Sequence, residues 1–204
     1  QRRGGLPAVG SLSLEGDVAK GTGVHVALLR GINLGSRNRL SMDDLRELFA
    51  EAGCGRIATY IQSGNVVFEA GDRLAGQLAA RISGALALRF GIDVPVVTRT
   101  AVELARAARA NPFLKSGADP DTLHVAFLAD RPSAAQVAAL DARRSPPDEF
   151  VVQGREVFLR FPKGMGRTKL TNAYFDSRLS TTSTVRNWRT VLTLVEMAGL
   201  SSPG

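Results

Sequence analysis

The run His25-Val-Ala-Leu-Leu29 returns 99 positions later as His124-Val-Ala-Phe-Leu128. A second echo follows in the same order, because Gly64-Asn-Val-Val-Phe68 is matched at an offset of 90 by Gly154-Arg-Glu-Val-Phe158. Two echoes in the same order and at similar offsets indicate a tandem duplication. Each half then holds roughly 80–90 residues, a size at which a hydrophobic core is marginal by itself. We therefore expect the two halves to pack against each other, which fits the apolar residues on both faces of the strand at 24–29.

The spacing of apolar residues predicts the elements of the first half. Ser41 begins a helix as its N-cap, and Gly53 ends it. A longer helix carries apolar residues at every fourth position, and a turn at Ser63-Gly64-Asn65 joins two strands. The predicted elements are a strand at 24–29, a helix at 42–52, strands at 57–61 and 66–69, a helix at 72–90 and a strand at 94–98. This βαββαβ order is the ferredoxin-like arrangement.

The second half is predicted to repeat this order and then to depart from it. Its predicted elements are a strand at 124–128, a helix at 132–140, a hairpin at 150–152 and 156–161, a helix at 169–179, a linker at 180–184 and a last helix anchored by Trp188. We therefore predict an α+β fold of two ferredoxin-like βαββα(β) repeats, with two antiparallel sheets and helices packed on them. The expected boundaries are a leader at 1–23, repeats at 24–99 and 113–204, and a connecting helix at 100–112.

Composition restricts the class of protein. Hydrophobic residues make up 44% and charged residues 22%, the balance of an ordinary globular protein. No apolar run approaches the roughly 18 residues that span a bilayer, so we expect no membrane association. Residues 1–23 are expected to be a disordered leader or an expression remnant. The single Cys54 cannot form an internal disulfide, which favours a cytoplasmic location.

Positive charge is concentrated in one segment. The whole chain has a net charge of +7. Residues 153–189 contain eight Lys or Arg residues and only two acidic residues, Glu156 and Asp176. Such a block attracts phosphates or nucleic acid, although a solvated arginine-rich surface explains it equally well.

Catalytic and metal signatures are absent from the sequence. His25 and His124 occupy matching strand positions, which favours a structural role, and Cys54 has no neighbour in sequence that would activate it. The spacing of these residues fits no zinc site, and there is no phosphate-binding P-loop, nucleophile elbow or dinucleotide fingerprint. We therefore expect no metal and no cofactor, and the sequence assigns no catalytic residue.

A loop rich in arginine and glycine leaves the end of the first strand and leads into a helix N-terminus. Free amides at a helix N-terminus favour anions, glycine allows close approach, and guanidinium groups form planar forks to phosphate. The candidate anion-binding residues of this loop are Arg30, Gly31, Asn33, Arg37 and Arg39. Asp43 and Asp44 act against this reading because they already satisfy the helix dipole. The alternative is an ordinary exposed loop whose arginine side chains are solvated.

Two more segments carry candidate binding residues. The turn at 59–65 clusters amide and hydroxyl groups beside a tyrosine, and its candidates are Tyr60, Gln62, Ser63 and Asn65. A tight hairpin explains most of this turn. Segment 181–188 supplies Arg186 and Asn187, which are expected to complete an anion pocket, with helix capping as the structural alternative.

Three strings resemble one known family. They are His25-Val-Ala-Leu-Leu-Arg-Gly-Ile-Asn-Leu-Gly35, Thr59-Tyr-Ile-Gln-Ser-Gly-Asn-Val-Val-Phe68 and Thr184-Val-Arg-Asn-Trp-Arg-Thr-Val191. Together they look like the uncharacterised bacterial family catalogued as domain of unknown function 1697, over about residues 24–200. The family usually has Met before Arg-Asn-Trp, where this chain has Val185. The resemblance implies a tandem ferredoxin-like fold and carries no established activity.

The best functional hypothesis is an anion-binding module for a phosphate-bearing ligand, either a nucleic acid backbone or a phosphorylated small molecule. A hydrolase of phosphate esters or acyl phosphates is an alternative by analogy of fold, with Arg30 or Arg37 clamping the anion and Asn33 or Asn65 placing a water. A protein-interaction domain without a small ligand is the third. The second half lacks the long loop, so we expect one site, in the first half and shared with the C-terminal block.

Overall fold

The chain builds two antiparallel sheets of four strands each. The computed structural model describes residues 21–33 and 38–201, so most of the leader predicted at 1–23 lies outside the described residues. The strands of the first sheet are β1 (Thr22–Leu29), β2 (Gly55–Tyr60), β3 (Asn65–Gly71) and β4 (Val96–Thr100). Their order is β2-β3-β1-β4, with every neighbouring pair antiparallel. Helices α1 (Met42–Glu51) and α2 (Asp72–Phe90) connect the strands, and α3 (Ala101–Ala110) and the short α4 (Pro112–Lys115) follow.

The second sheet has the corresponding order of strands. They are β5 (Leu123–Leu128), β6 (Glu149–Gln153), β7 (Glu156–Arg160) and β8 (Ser183–Asn187), arranged β6-β7-β5-β8. The helices of this half are α5 (Ala134–Ala138), α6 (Asn172–Leu179) and α7 (Trp188–Met197). The structure confirms the predicted α+β class with two antiparallel sheets. None of the helices in the described part of the chain is long and apolar enough to cross a membrane.

Local sequence signals account for the helix boundaries. The Ser41 side chain accepts a hydrogen bond from the Asp44 amide and caps α1, and Thr100 and Glu103 form a reciprocal capping box at the start of α3. Gly91 ends α2 in the left-handed conformation, with φ at 65°. The Ser41 cap of α1 and the end of α2 at residue 90 agree with the predictions from sequence.

A shared core joins the two halves. One face of each sheet, together with α3 and α7, forms a single buried cluster, and this confirms that the halves pack against each other. Trp188 anchors α7 in that cluster, as expected, and is 3% exposed. The opposite face of the first sheet packs on α1 and α2, and that of the second sheet packs on α6. Each fully buried large apolar side chain contributes about 1.5–3 kcal/mol, so the shared cluster stabilises the contact between the halves in addition to the outer core that each half forms by itself.

The prediction that residues 180–184 lead directly into the last helix was wrong. Ser183–Asn187 is an edge strand that pairs with β5 as β4 pairs with β1, so the chain does not depart from the first half's order of elements at this point. The segment Ser183-Thr-Val-Arg-Asn187 contains one apolar residue and therefore shows no alternation typical of a strand. The segment is a strand because it pairs with β5 and has helix α7 behind it, and not because of its local propensity.

The offset of the second echo also needs correction. His25 lies opposite Phe68 in the first sheet, and His124 lies opposite Leu159 in the second. The hairpins are therefore related by 91 positions, not 90. Phe68 faces the cluster formed with α1 and α2, whereas Phe158 faces the core shared by the two halves. The two phenylalanines of the echo therefore lie on opposite faces of their sheets. A slip of one residue reverses the face of every side chain in a strand.

Two helices are shorter than predicted. α5 occupies Ala134–Ala138 rather than 132–140, because Ser133 is its N-cap and the helix ends after one and a half turns. α6 begins at Asn172 rather than 169, since Thr171 is its N-cap.

Candidate functional site

The loop after β1 is held by asparagine side chains. Asn33 adopts a φ of 54°, and its Nδ2 donates to the carbonyl oxygens of Leu40 and Gln62 at 2.9 and 3.0 Å. Its Oδ1 accepts from the amide of Leu40, and Asn38 donates to the carbonyl of Gly31. Asn33 thus ties the loop to the β2–β3 turn. Its amide is fully used in this structural role and is not open to a ligand.

The turn between β2 and β3 needs glycine at position 64. Gly64 has a φ of 75°, and a Cβ placed there would lie 2.7 Å from the Cβ of Leu29. Asn65, which follows it, is completely buried, and its Nδ2 donates to Ser63 Oγ and to the carbonyl of Tyr60. The turn is therefore packed tightly against the end of β1 and presents the Oδ1 of Asn65 to β8.

Arg186 of β8 crosses to this turn from the other half of the chain. Its Nε donates to Asn65 Oδ1 at 2.6 Å, and Nη2 donates to the carbonyl of Leu29 at 2.6 Å. Nη1 binds the Thr184 hydroxyl, and Nη2 also reaches the carbonyl of Ser63 at 3.3 Å. Every one of these acceptors is neutral, and no carboxylate of the described chain pairs with Arg186. Burial lowers the pKa of Arg186 to about 10, so the guanidinium is still charged at neutral pH.

An equivalent arginine makes the reverse crossing. Arg99 of β4 lies opposite Val26, just as Arg186 lies opposite Val125. Arg99 donates to the carbonyls of Leu128 and Arg155 at 2.7 and 2.8 Å, and its Nε binds Glu156 Oε1 at 2.9 Å. The two arginines therefore brace the halves reciprocally. They differ in charge balance, because Arg99 meets the carboxylate of Glu156 where Arg186 meets the amide of Asn65.

Arg30 is also used between the halves. Its Nη1 forms an ion pair with Asp176 of α6 at 2.6 Å and donates to the carbonyl of Ser183 at 2.8 Å. Asp176 in turn accepts from the amide and hydroxyl of Ser183. Arg30 and Arg186 are thus both held at the end of β1, and of the two only Arg30 is paired with a carboxylate, that of Asp176, among the described residues.

A polar cavity opens beside this network. It has a volume of about 460 Å³ and is lined by Asn33, Arg39, Leu40, Ser41 and Gln62. Arg39 and Gln62 are exposed, and neither side chain is hydrogen-bonded or ion-paired within residues 21–33 and 38–201. Arg37, another candidate, lies outside the described residues. The cavity therefore holds the candidate side chains that stay available to a ligand.

Two candidate residues take structural positions. Asn187 is the N-cap of α7 and accepts from the amide of Thr190 at 2.8 Å, which is the capping alternative considered from sequence. Tyr60 is half-buried and packs on the core shared by the two halves. Gly31 has a φ of 77°, which fits its place in the loop bend.

Half of the basic block is neutralised or buried by contacts elsewhere in the chain. Arg155 pairs with Glu103, Arg160 with Glu149 and Arg189 with Asp121. Together with the half-buried Arg186, whose nitrogens all donate within the protein, these are four of its eight cations. The others lack an ion pair within the described ranges; they are Lys163, Arg167, Lys169 and Arg178. The free positive charge is thus smaller than the sequence count suggests.

Sequence reasoning missed Arg99, Glu156 and Asp176. A signal for Arg99 was present, since Thr98-Arg-Thr100 and Val185-Arg-Asn187 each place an arginine one residue before a helix N-cap. The partners of these arginines are distant in sequence and carry no local signature.

The remaining reactive side chains are in structural surroundings. His25 stacks on Phe68, and His124 packs against Phe161 with ring centroids 5.0 Å apart. Burial raises the pKa of the Cys54 thiol to about 11, which keeps it protonated. Among the described residues, no three His, Cys, Asp or Glu side chains are grouped to hold a metal ion.

These features define an α+β protein whose two sheets share a core and are braced by crossing arginines. The sequence model of the family described as a protein of unknown function, DUF1697, matches residues 23–158, so the chain belongs to this family. This confirms the resemblance seen in the sequence, although the match ends before the segment of Arg186. No curated protein matches the chain.

A solved structure supports the fold. The chain is similar to the conserved bacterial protein SP0830 from Streptococcus pneumoniae, with a TM-score of 0.67 and 20% identity. The alignment covers 87% of this chain and 99% of that chain. At this identity the likeness extends to the fold alone.

Proposed function

We propose that the chain binds a phosphate-bearing ligand in the cavity beside Arg39 and Gln62. The observation that carries the proposal is the unbalanced charge of Arg186. Its equivalent, Arg99, is neutralised by Glu156, whereas Arg186 is surrounded by neutral oxygens. A cation removed from water and lacking a carboxylate favours an anion nearby.

Arg186 acts on such a ligand through its field rather than by direct contact, because protein oxygens already accept from its nitrogens. Arg186 does not line the cavity, so its attraction for a bound anion is long-range and should weaken as salt is added. The ligand's hydrogen bonds come from Arg39 and Gln62, whose side chains project from the two walls of the cavity. In this proposal the half-buried Arg186 supplies electrostatic potential, and the exposed Arg39 and Gln62 contact the phosphate.

The test is thermal unfolding against sulfate, nucleotides, small phosphoesters, and short RNA and DNA. A ligand at a hundred times its dissociation constant adds about 2.7 kcal/mol, which raises the Tm by roughly 5–10 °C for a chain of this size. Arg39→Ala should abolish the increase. Arg143→Ala is the matched control and should leave the increase unchanged. It removes an exposed arginine that has no ion pair within the described residues and lies outside both the cavity and the basic block.

Asn65→Asp tests the charge argument directly. The change gives Arg186 the carboxylate that Glu156 supplies to Arg99, and we expect it to suppress anion binding while the protein stays folded. The contrary result would be a ligand-induced increase in Tm that survives both Asn65→Asp and Arg39→Ala.

The panel also separates the two sources of phosphate. With four unpaired cations in the basic block, binding to duplex DNA should weaken with salt at a log–log slope of about −3.6. A small phosphoester should show a much flatter salt response. We do not extend the proposal to hydrolysis, because the amides of Asn33 and Asn65 are used within the protein and are not free to place a water.

We also infer that the chain arose by tandem duplication of a ferredoxin-like βαββαβ unit. The same strand order in both sheets and the equivalent placement of Arg99 and Arg186 support this origin. The cytoplasmic location expected from the single cysteine is part of the proposal; a fractionation experiment that finds the protein outside the cytoplasm would overturn it.

A further inference from the structure

A groove lies in the second half, between α3 and the turn that joins β6 to β7. Its volume is about 430 Å³, which lies within the range of small-molecule sites. Gln153, the last residue of β6, pairs with Glu156 as Tyr60 pairs with Asn65 in the first sheet. The groove is separate from the cavity beside Arg39, since the two share no lining residue.

The carboxylates of this groove are already paired. Glu103 binds Arg155 at 2.6 Å, and Glu156 binds Arg99 at 2.9 Å. Burial opposes ionisation of Glu103, but its hydrogen bond from the Thr100 amide and its pairing with Arg155 lower its pKa overall. Both acids are therefore used within the protein and do not repel an incoming anion as free charges would.

Two arginines on opposite walls remain unpaired. Arg106 projects from α3, and Arg131 follows β5. Both are exposed, and neither forms an ion pair in the described part of the chain. Guanidinium groups facing a common space can bind one carboxylate or phosphate between them.

The floor of the groove is apolar because α3 has small residues there. Ala107, Ala110 and Phe158 line it, and Phe158 is 1% exposed. Counted from the helix N-caps Thr100 and Asn187, the α7 residues equivalent to the two alanines are Leu194 and Met197. A cavity of about 420 Å³ lies at the corresponding place in the first half, where Met197 forms part of the wall instead of an alanine.

We propose that this groove binds a small organic anion, with its carboxylate or phosphate between Arg106 and Arg131 and its apolar body over Ala107 and Ala110. The chemical class of the ligand follows from the two unpaired arginines and the apolar floor taken together. The free cations select a negative group, and the apolar floor favours a ligand with a ring or chain over an inorganic ion. This site is additional to the one beside Arg39 and does not depend on it.

The experiment is an NMR titration of the ¹⁵N-labelled chain with phenyl phosphate, benzoate and sulfate. Phenyl phosphate and benzoate identify which anionic group is preferred, and sulfate tests charge without an apolar body. We expect the organic anions to shift the amides of 103–110 and 153–158 and to bind at least tenfold more tightly than sulfate. Arg106→Ala and Arg131→Ala should each weaken binding by about tenfold, which corresponds to one lost charge-assisted hydrogen bond.

Variants on α3 make the result decisive. Ala110→Met extends a longer side chain into the lining of the groove and should weaken binding, whereas Arg109→Ala removes an exposed arginine that does not line it and should leave binding unchanged. Arg39→Ala should also have no effect here, so the two proposed sites fail independently. The inference is overturned if neither organic anion shifts the groove amides, if the shifts map elsewhere, or if Ala110→Met binds as tightly as the wild type.

Discussion

Replacing Arg99 by Met tests the bracing between the two halves. Arg99 is 1% exposed and reaches the carbonyls of Leu128 and Arg155 and the carboxylate of Glu156. Methionine keeps much of the aliphatic stem but removes every one of these hydrogen bonds. The change leaves Glu156, whose side chain is 17% exposed, as a carboxylate without its arginine.

The expected cost follows from what is left behind. Breaking a buried ion pair by removing one partner costs about 3–5 kcal/mol, and partial exposure of Glu156 favours the lower end. The carbonyl of Arg155 keeps its bond from the Leu128 amide, so the backbone penalty is limited. We expect about 3 kcal/mol for Arg99→Met. Arg186→Met should cost less, about 1–3 kcal/mol, because it leaves only neutral groups unsatisfied.

Urea unfolding measures these costs, with the fluorescence of Trp188 in the shared core as the probe. Adding Glu156→Gln to Arg99→Met should recover part of the loss, since a neutral amide is cheaper to bury than an unpaired carboxylate. Two results would refute the reasoning: a cost below about 1 kcal/mol for Arg99→Met, or a double variant no more stable than the single one.

Three other predictions concern the turn, a histidine and the cysteine. Gly64→Ala should lower the free energy of unfolding, measured in urea, by roughly 2–5 kcal/mol, because Gly64 has a φ of 75° and a Cβ there would contact Leu29. Gly91→Ala should lower it by only about 1–2 kcal/mol, because Gly91 has a φ of 65° but open space around it. Equal losses in the two variants would contradict the packing argument. Burial lowers the pKa of His124 below its ordinary 6.5, so the unfolded chain takes up the proton first. Stability should therefore fall below about pH 6.5, and less so in His124→Leu; identical pH profiles would exclude this. With its pKa at about 11 rather than 9.0, Cys54 should react with iodoacetamide at pH 8 about a hundredfold more slowly than a free thiol, and a rate unchanged by unfolding in urea would contradict it.

The fold was more predictable than the site because it depends on local patterns. The buried stripe of α2 and the caps of α1 and α3 are written in neighbouring residues, and the structure places them as expected. β8 was missed because its residues are mostly polar, and only its pairing with β5 makes it a strand. Of the candidate residues, Arg186 and Asn65 bind each other, and Asn33 reaches the neighbouring turn through the carbonyl of Gln62.

The sequence by itself determined the α+β class and the segments that carry polar and basic side chains, since each depends on composition or on periodicity over a few residues. Three strings of residues carried the resemblance to the family, which the family model confirms. Only the tertiary structure decided which charges are free. Arg30 is paired with Asp176 from 146 residues away, and Arg99 meets Glu156 while Arg186 meets Asn65. Charge balance depends on which side chains the two sheets bring within a few ångströms, and the register of long-range strand pairs sets that distance.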